Sequence, residues 1–229
     1  MKLKKIASLA LAGVMAVSML AGCKGNGTDN AGSSSSEQTA TATGYSAKLA
    51  DEMKDLAAED YISFKDNASD EAALKAAVAG LSNQTVGVSN SSNIVWMVPT
   101  SRVATDFDDK AKLDEYFADN TNDLFTTNAA KAHLNGTYKI GFVYAADGSV
   151  GMDKVMELIA TDLDTADRVT DGLVEDSSKI NNVTSSSTKY DYTYEISVSV
   201  VNVPNEYDLQ HSFSTNFIAV TITRTGVDA

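Results

Sequence analysis

Few side chains in this sequence could carry proton or group transfer. The 229 residues hold two histidines, His133 and His211. Histidine is the side chain best poised for general acid–base work near neutral pH. Ser149 follows Asp147-Gly148, and Gly151 stands two residues on. A nucleophile elbow needs Gly-x-Ser-x-Gly between a strand and a helix. Here the first glycine adjoins the serine, so the spacing fails by one place although a strand–turn–helix context fits. No base and orienter stand beside Ser149, which therefore reads first as a turn residue. His133 closes a helical face before Asn135-Gly136 and reads as a helix-end or packing residue. His211 lies on the alternation of Leu209 and Phe213, with Asp208 close in sequence. An envelope hydrolase would use one of these histidines with a carboxylate. The expectation is that the two lie apart and that neither meets Ser149 and a carboxylate in one cleft.

Metal and cofactor chemistry has less support. There is no His-Glu-x-x-His pattern and no Gly-rich phosphate loop. Asp162, Asp164, Asp167, Asp171, Glu175 and Asp176 are dense enough to suggest calcium. An EF-hand loop needs an oxygen ligand at its fifth position and glycine at its sixth, and counting from Asp162 these places hold Ala166 and Asp167. The acids read first as a solvated face, with weak calcium binding in an extracellular setting as the open alternative. No defined metal site and no cofactor is expected.

These residues need elements to position them. Tyr45, Leu49, Met53 and Leu56 recur at helical spacing, and Leu74, Val78 and Leu81 follow Ser69, an N-cap with Asp70 and Glu71 in the first turn. Thr85–Ser89 and Asn93–Val98 flank Asn90-Ser91-Ser92 as a short hairpin, closed by Pro99. Leu113, Tyr116 and Phe117 mark a third helix, and Leu124, Phe125, Ala129, Ala132 and His133 a fourth. Tyr138, Ile140, Phe142 and Tyr144 alternate as a strand, Asp147-Gly148-Ser149 turns, and Met152, Val155, Met156, Ile159 and Leu163 form the clearest helical stripe. Residues 164–187 read as irregular, with a helical extension and an Asp171-Gly172 hairpin turn as the alternatives.

The last forty residues carry the strongest strand signal. Tyr190 to Val200 alternates, then switches phase to Val201 and Val203; Leu209, Phe213 and Phe217 switch to Ile218, Val220 and Ile222. A one-residue slip would turn one apolar set away from the other. The two phases predict Tyr192 on one face with Val220, and Val201 on the opposite face with Phe213. The tyrosine row would make a glycan or peptide platform if exposed, and core if covered by helices. The fold class expected is α+β: an antiparallel sheet with a long C-terminal hairpin, packed by helices mostly from the N-terminal half.

The N-terminus has its own grammar. Lys2, Lys4 and Lys5 precede an uncharged apolar run from Ile6 to Leu20, which is too short to span a bilayer and ends in Leu20-Ala21-Gly22-Cys23. These four residues resemble the lipobox of bacterial lipoprotein signals. The resemblance implies cleavage before Cys23, diacylglycerol on its sulfur, and attachment to the membrane on its extracytoplasmic side. Two acyl chains give stable anchoring where one does not. Cys23 is the only cysteine, so a lipidated chain keeps no thiol for a disulfide, a nucleophile or a metal.

The expected organisation is therefore a signal peptide (1–22), a lipidated tether (23–44) and one globular domain (45–229). The tether is rich in Gly, Asn, Ser and Thr, and as a coil it would reach roughly 25 Å. It suits a Gram-positive envelope by resemblance. Loss of residues 1–22 removes three lysines and takes the formal charge from −13 to −16. Such a surface repels nucleic acid and anionic headgroups. The leading expectation is a non-enzymatic envelope module that binds a protein, glycan or small molecule or serves a structural role. The alternatives are the hydrolase above and a transporter's solute-binding lipoprotein, for which the chain is short and lacks alternating parallel βα units.

Overall fold

Period-two alternation of apolar side chains produces the longest elements. The computed structural model describes residues 42, 44–79, 81, 94–97, 100–117, 124–125, 130–131, 133–165, 169, 172–180, 188–204 and 214–229. Three long strands lie side by side, β4 (Gly136–Asp147), β5 (Tyr190–Pro204) and β6 (Ser214–Asp228). β6 is central and antiparallel to both neighbours, with Tyr190 opposite Asp228 and Gly136 opposite Gly226. Short strands β1 (Ile62–Phe64), β2 (Ile94–Trp96) and β3 (Glu115–Tyr116) complete the sheet in the order β1-β5-β6-β4-β2, with β3 also on β4. The fold is α+β, as expected. Its long strands and β2 are antiparallel, and β1 and β3 add parallel pairings that make the sheet mixed.

Five helices are described: α1 (Tyr45–Glu52), α2 (Lys54–Ala57), α3 (Ala68–Val78), α4 (Arg102–Ala111) and α5 (Met152–Asp164). None is long and apolar enough to cross a membrane. The stripe from Tyr45 to Leu56 is helical but breaks at Met53 (φ −110°, ψ 51°). α3 is capped by Asn67, not Ser69: its side-chain oxygen accepts from the amides of Ser69 (3.0 Å) and Asp70 (3.3 Å). Asparagine caps as well as serine does, and the extended backbone of Asn67 places it at the boundary.

A second correction concerns residues 113–117, which form no helix. α4 lies before them, capped by the Ser101 hydroxyl and stopped by Lys112 in the left-handed region (φ 53°). Beyond that stop the chain is extended and becomes β3. The adjacent Tyr116 and Phe117 fit either period, so spacing alone does not decide there. Of the expected first hairpin, β2 pairs with β4, while 85–93 lies outside the described residues. Leu124 and Phe125 form a turn with Phe125 left-handed (φ 61°), and helical residues are described at 130–131. α5 ends at Asp164, and farther on the Leu173 amide donates to the Val169 carbonyl at 2.9 Å. A 3-10 turn follows at Ser177–Lys179.

Residues directly opposite across antiparallel strands share a face. Val198 lies opposite Val220, which puts Tyr192, Tyr194 and Ile196 on Val220's side as the alternation predicts. Val201 lies opposite Phe217 on the other face; Phe213 lies outside the described residues. The first face is covered by α1 and α5, whose Leu49, Val155, Met156 and Ile159 are fully buried against the sheet. The second is covered at one end by α3 and α4, through Leu74, Ala77 and Phe107 against Val143, Phe217 and Ala219. Where β1 stops, the buried Ser46 hydroxyl takes over its ladder: it accepts from the Val198 amide at 2.9 Å and donates to the Lys65 carbonyl.

Candidate functional site

The structure separates the catalytic candidates. Ser149 sits in the turn after β4, where its amide (2.8 Å) and hydroxyl (2.5 Å) both donate to the Asp147 carboxylate. These bonds hold the Asp147 carboxyl below the usual carboxylate range. Gly148 permits the turn: a Cβ there would lie 2.8 Å from the Ser214 carbonyl oxygen, to which the Gly148 amide donates. His133 lies just before the opposite end of β4. Eleven strand steps separate the two ends of β4, roughly 35 Å. The His133 ring lies 5.5 Å from the Tyr138 ring, and its carbonyl accepts from Arg224 at 2.7 Å. His211 and Asp208 lie outside the described residues, as does Cys23.

Other candidate features are absorbed by packing. Among the six acids from Asp162 to Asp176, Asp162 accepts the Tyr144 hydroxyl, Glu175 pairs with Lys179, and Asp176 accepts from the Ser178 amide at 2.7 Å. Among the described residues no three His, Cys, Asp or Glu side chains gather as a metal site. Tyr192 and Tyr194 are buried and Tyr190 packs half-buried against them, so the tyrosine row is core. Burial pushes the Tyr194 phenol well above its usual range. Arg224 is buried on the same face, its guanidinium 4.7 Å from the Tyr192 ring and 5.0 Å from Phe125. Its Nη2 donates to the carbonyls of Ala130 (2.8 Å) and His133. A cation suits helix-end carbonyls, so Arg224 fastens the 130–133 segment onto the sheet.

A cleft of about 470 Å³ opens between the α1–α2 junction and α5, within the range of small-molecule sites. Met53, Leu56, Ala160, Val169 and Leu173 supply its apolar surface. Each belongs to the first-face core or packs against it, so the cleft floor is an extension of that core. Its rim carries Glu52, Asp55, Glu59, Glu157 and Asp164, against Lys54. Glu157, Thr161 and Asp164 share one side of α5 through spacings of four and three. Lys48 of α1 pairs with Asp153 in the first turn of α5, which fastens the two helices beside the cleft. Tyr61 lies at the cleft's other wall, its phenol raised above its usual range by burial and then by the charge of Glu59.

Sequence reading missed this site. Its walls come from residues 52–61 and 157–164 with Val169 and Leu173, which the fold alone assembles, and its carboxylates read singly as solvated surface. The one signal available was that Glu52, Asp55 and Glu59 recur at spacings of three and four beside the apolar stripe. No protein-family model matches the chain, and no match is found among curated proteins or solved structures.

Proposed function

We propose that this chain is a lipid-anchored extracytoplasmic binding module whose ligand enters the cleft between α1–α2 and α5. The observation that carries the reading is the cleft itself: an apolar floor continuous with the core, ringed by acidic side chains. Leu20-Ala21-Gly22-Cys23 supplies the anchor, by resemblance to the lipobox. The tether joins the domain at Gly44, whose amide donates to Asp66 at 3.0 Å. α1 then runs about 12 Å before Glu52 reaches the cleft rim. The acidic surface keeps the domain off anionic headgroups and argues against nucleic acid as partner. The setting is the outer face of a cell membrane, in a Gram-positive envelope. Fractionation of cells making the wild-type chain or Cys23→Ala tests the anchor. Wild-type chain should stay with the membrane, and the variant should appear in the medium or as uncut precursor. A variant that is processed and membrane-bound like the wild type would refute it.

A further inference from the structure

We propose that the cleft selects a small organic ammonium ion with an apolar body. The inference rests on the cleft being the binding site and adds the chemistry of its occupant. The apolar floor of Met53, Leu56 and Leu173 gains from covering by carbon rather than by a hydrated ion. Among the described residues the rim sets five carboxylates against one lysine, so an anionic ligand is repelled and a cation attracted. Glu157 is partly answered by Lys154 at 2.5 Å, whereas Glu52, Asp55, Glu59 and Asp164 are in no ion pair among the described residues.

Backbone adds to the same sign. α1 ends at Glu52 and α5 at Asp164, both on the rim, and neither helix has a basic residue in its last turn. The negative end of the α5 dipole therefore lies beside the rim residue Asp164, with no basic side chain of its own helix against it. Tyr61 contributes an aromatic ring on the wall, a surface that attracts an ammonium group. Burial and the Glu59 charge keep its phenol neutral, so the ring stays a neutral partner. A bare metal ion would need converging oxygen or nitrogen ligands. The described residues gather no such set, and the floor offers carbon. The volume, about 470 Å³, suits a metabolite-sized amine.

The test titrates the full mature chain in detergent with 2-phenylethylammonium, neutral 2-phenylethanol and anionic 3-phenylpropionate, followed by amide chemical shifts. The ammonium should bind about tenfold more tightly than the alcohol, and added salt should weaken the ammonium alone. Its shifts should gather on 52–61, 157–164, Val169 and Leu173. The Glu52→Gln/Asp164→Asn double variant should lose most of this preference, and Glu59→Gln part of it. If the alcohol binds the cleft as tightly as the ammonium, the charge selection is overturned and the cleft remains the binding site. If no probe shifts the cleft residues, both readings fall.

Discussion

On one face of the sheet, Tyr192, Tyr194, Ile196 and Val198 of β5 are all less than 5% exposed. On the other face the same strand presents an exposed Thr193 and a half-buried Glu195, and becomes apolar only at Val201 and Val203. β6 repeats the division with Thr223 and Thr225 at the polar end and Phe217 and Ala219 at the apolar end. Coverage follows the apolar phase of the strands. On β5 the first face is buried from Tyr192 to Val198, whereas α3 and α4 reach only as far as the apolar end of the second. Their limit is marked by Asp70 of α3, which is buried, accepts the Thr221 hydroxyl at 2.6 Å and pairs with Lys139 of β4. The cover on the first face is assembled from separate helices, and the cleft lies where α1, α2 and α5 meet Val169 and Leu173.

Substitutions can break this contrast in order of size. Phe142 is fully buried on the first face between Phe117 and Tyr144, with ring centroids 6.4 and 5.5 Å away. Phe142→Ala should cost about 3–5 kcal/mol in urea unfolding. Phe217→Ala, in the smaller second core, should fall at the lower end of that range, because an open margin lets neighbours relax into the gap. A larger loss at Phe217 than at Phe142 would contradict the unequal cores. Asp70→Ala should cost about 3 kcal/mol, since it leaves the Lys139 ammonium at the core boundary with only the Ala111 carbonyl, 3.1 Å away. Asp70→Asn can keep the Thr221 bond and should cost less. At the polar end, Thr225→Val should change stability by no more than about 0.5 kcal/mol. A loss beyond 1 kcal/mol there, read by the same unfolding curves, would show that something covers this end.

Sequence made parts of this legible for physical reasons. The faces of the hairpin strands could be read because each long strand changes phase once, and a one-residue slip would turn one apolar set away from the other. α5 could be read from its uninterrupted stripe. α4 was missed although Val103, Phe107 and Ala111 recur every four residues after Ser101, because three apolar positions amid charged neighbours are a weak pattern. β1 has three residues, too few for alternation to show. Asp70 read as a first-turn acid because its partners, Lys139 and Thr221, are distant in sequence. The cleft was illegible for the same reason: charge and apolar floor come from segments a hundred residues apart.

We propose a ligand-binding domain held outside the cell by lipid. Mass spectrometry of the N-terminal peptide from protein extracted out of its native membrane tests the anchoring most directly. The expected peptide begins at Cys23 and carries the mass of diacylglycerol on its sulfur. A peptide with an unmodified Cys23, or one that continues upstream through Gly22 and Ala21, would contradict the account.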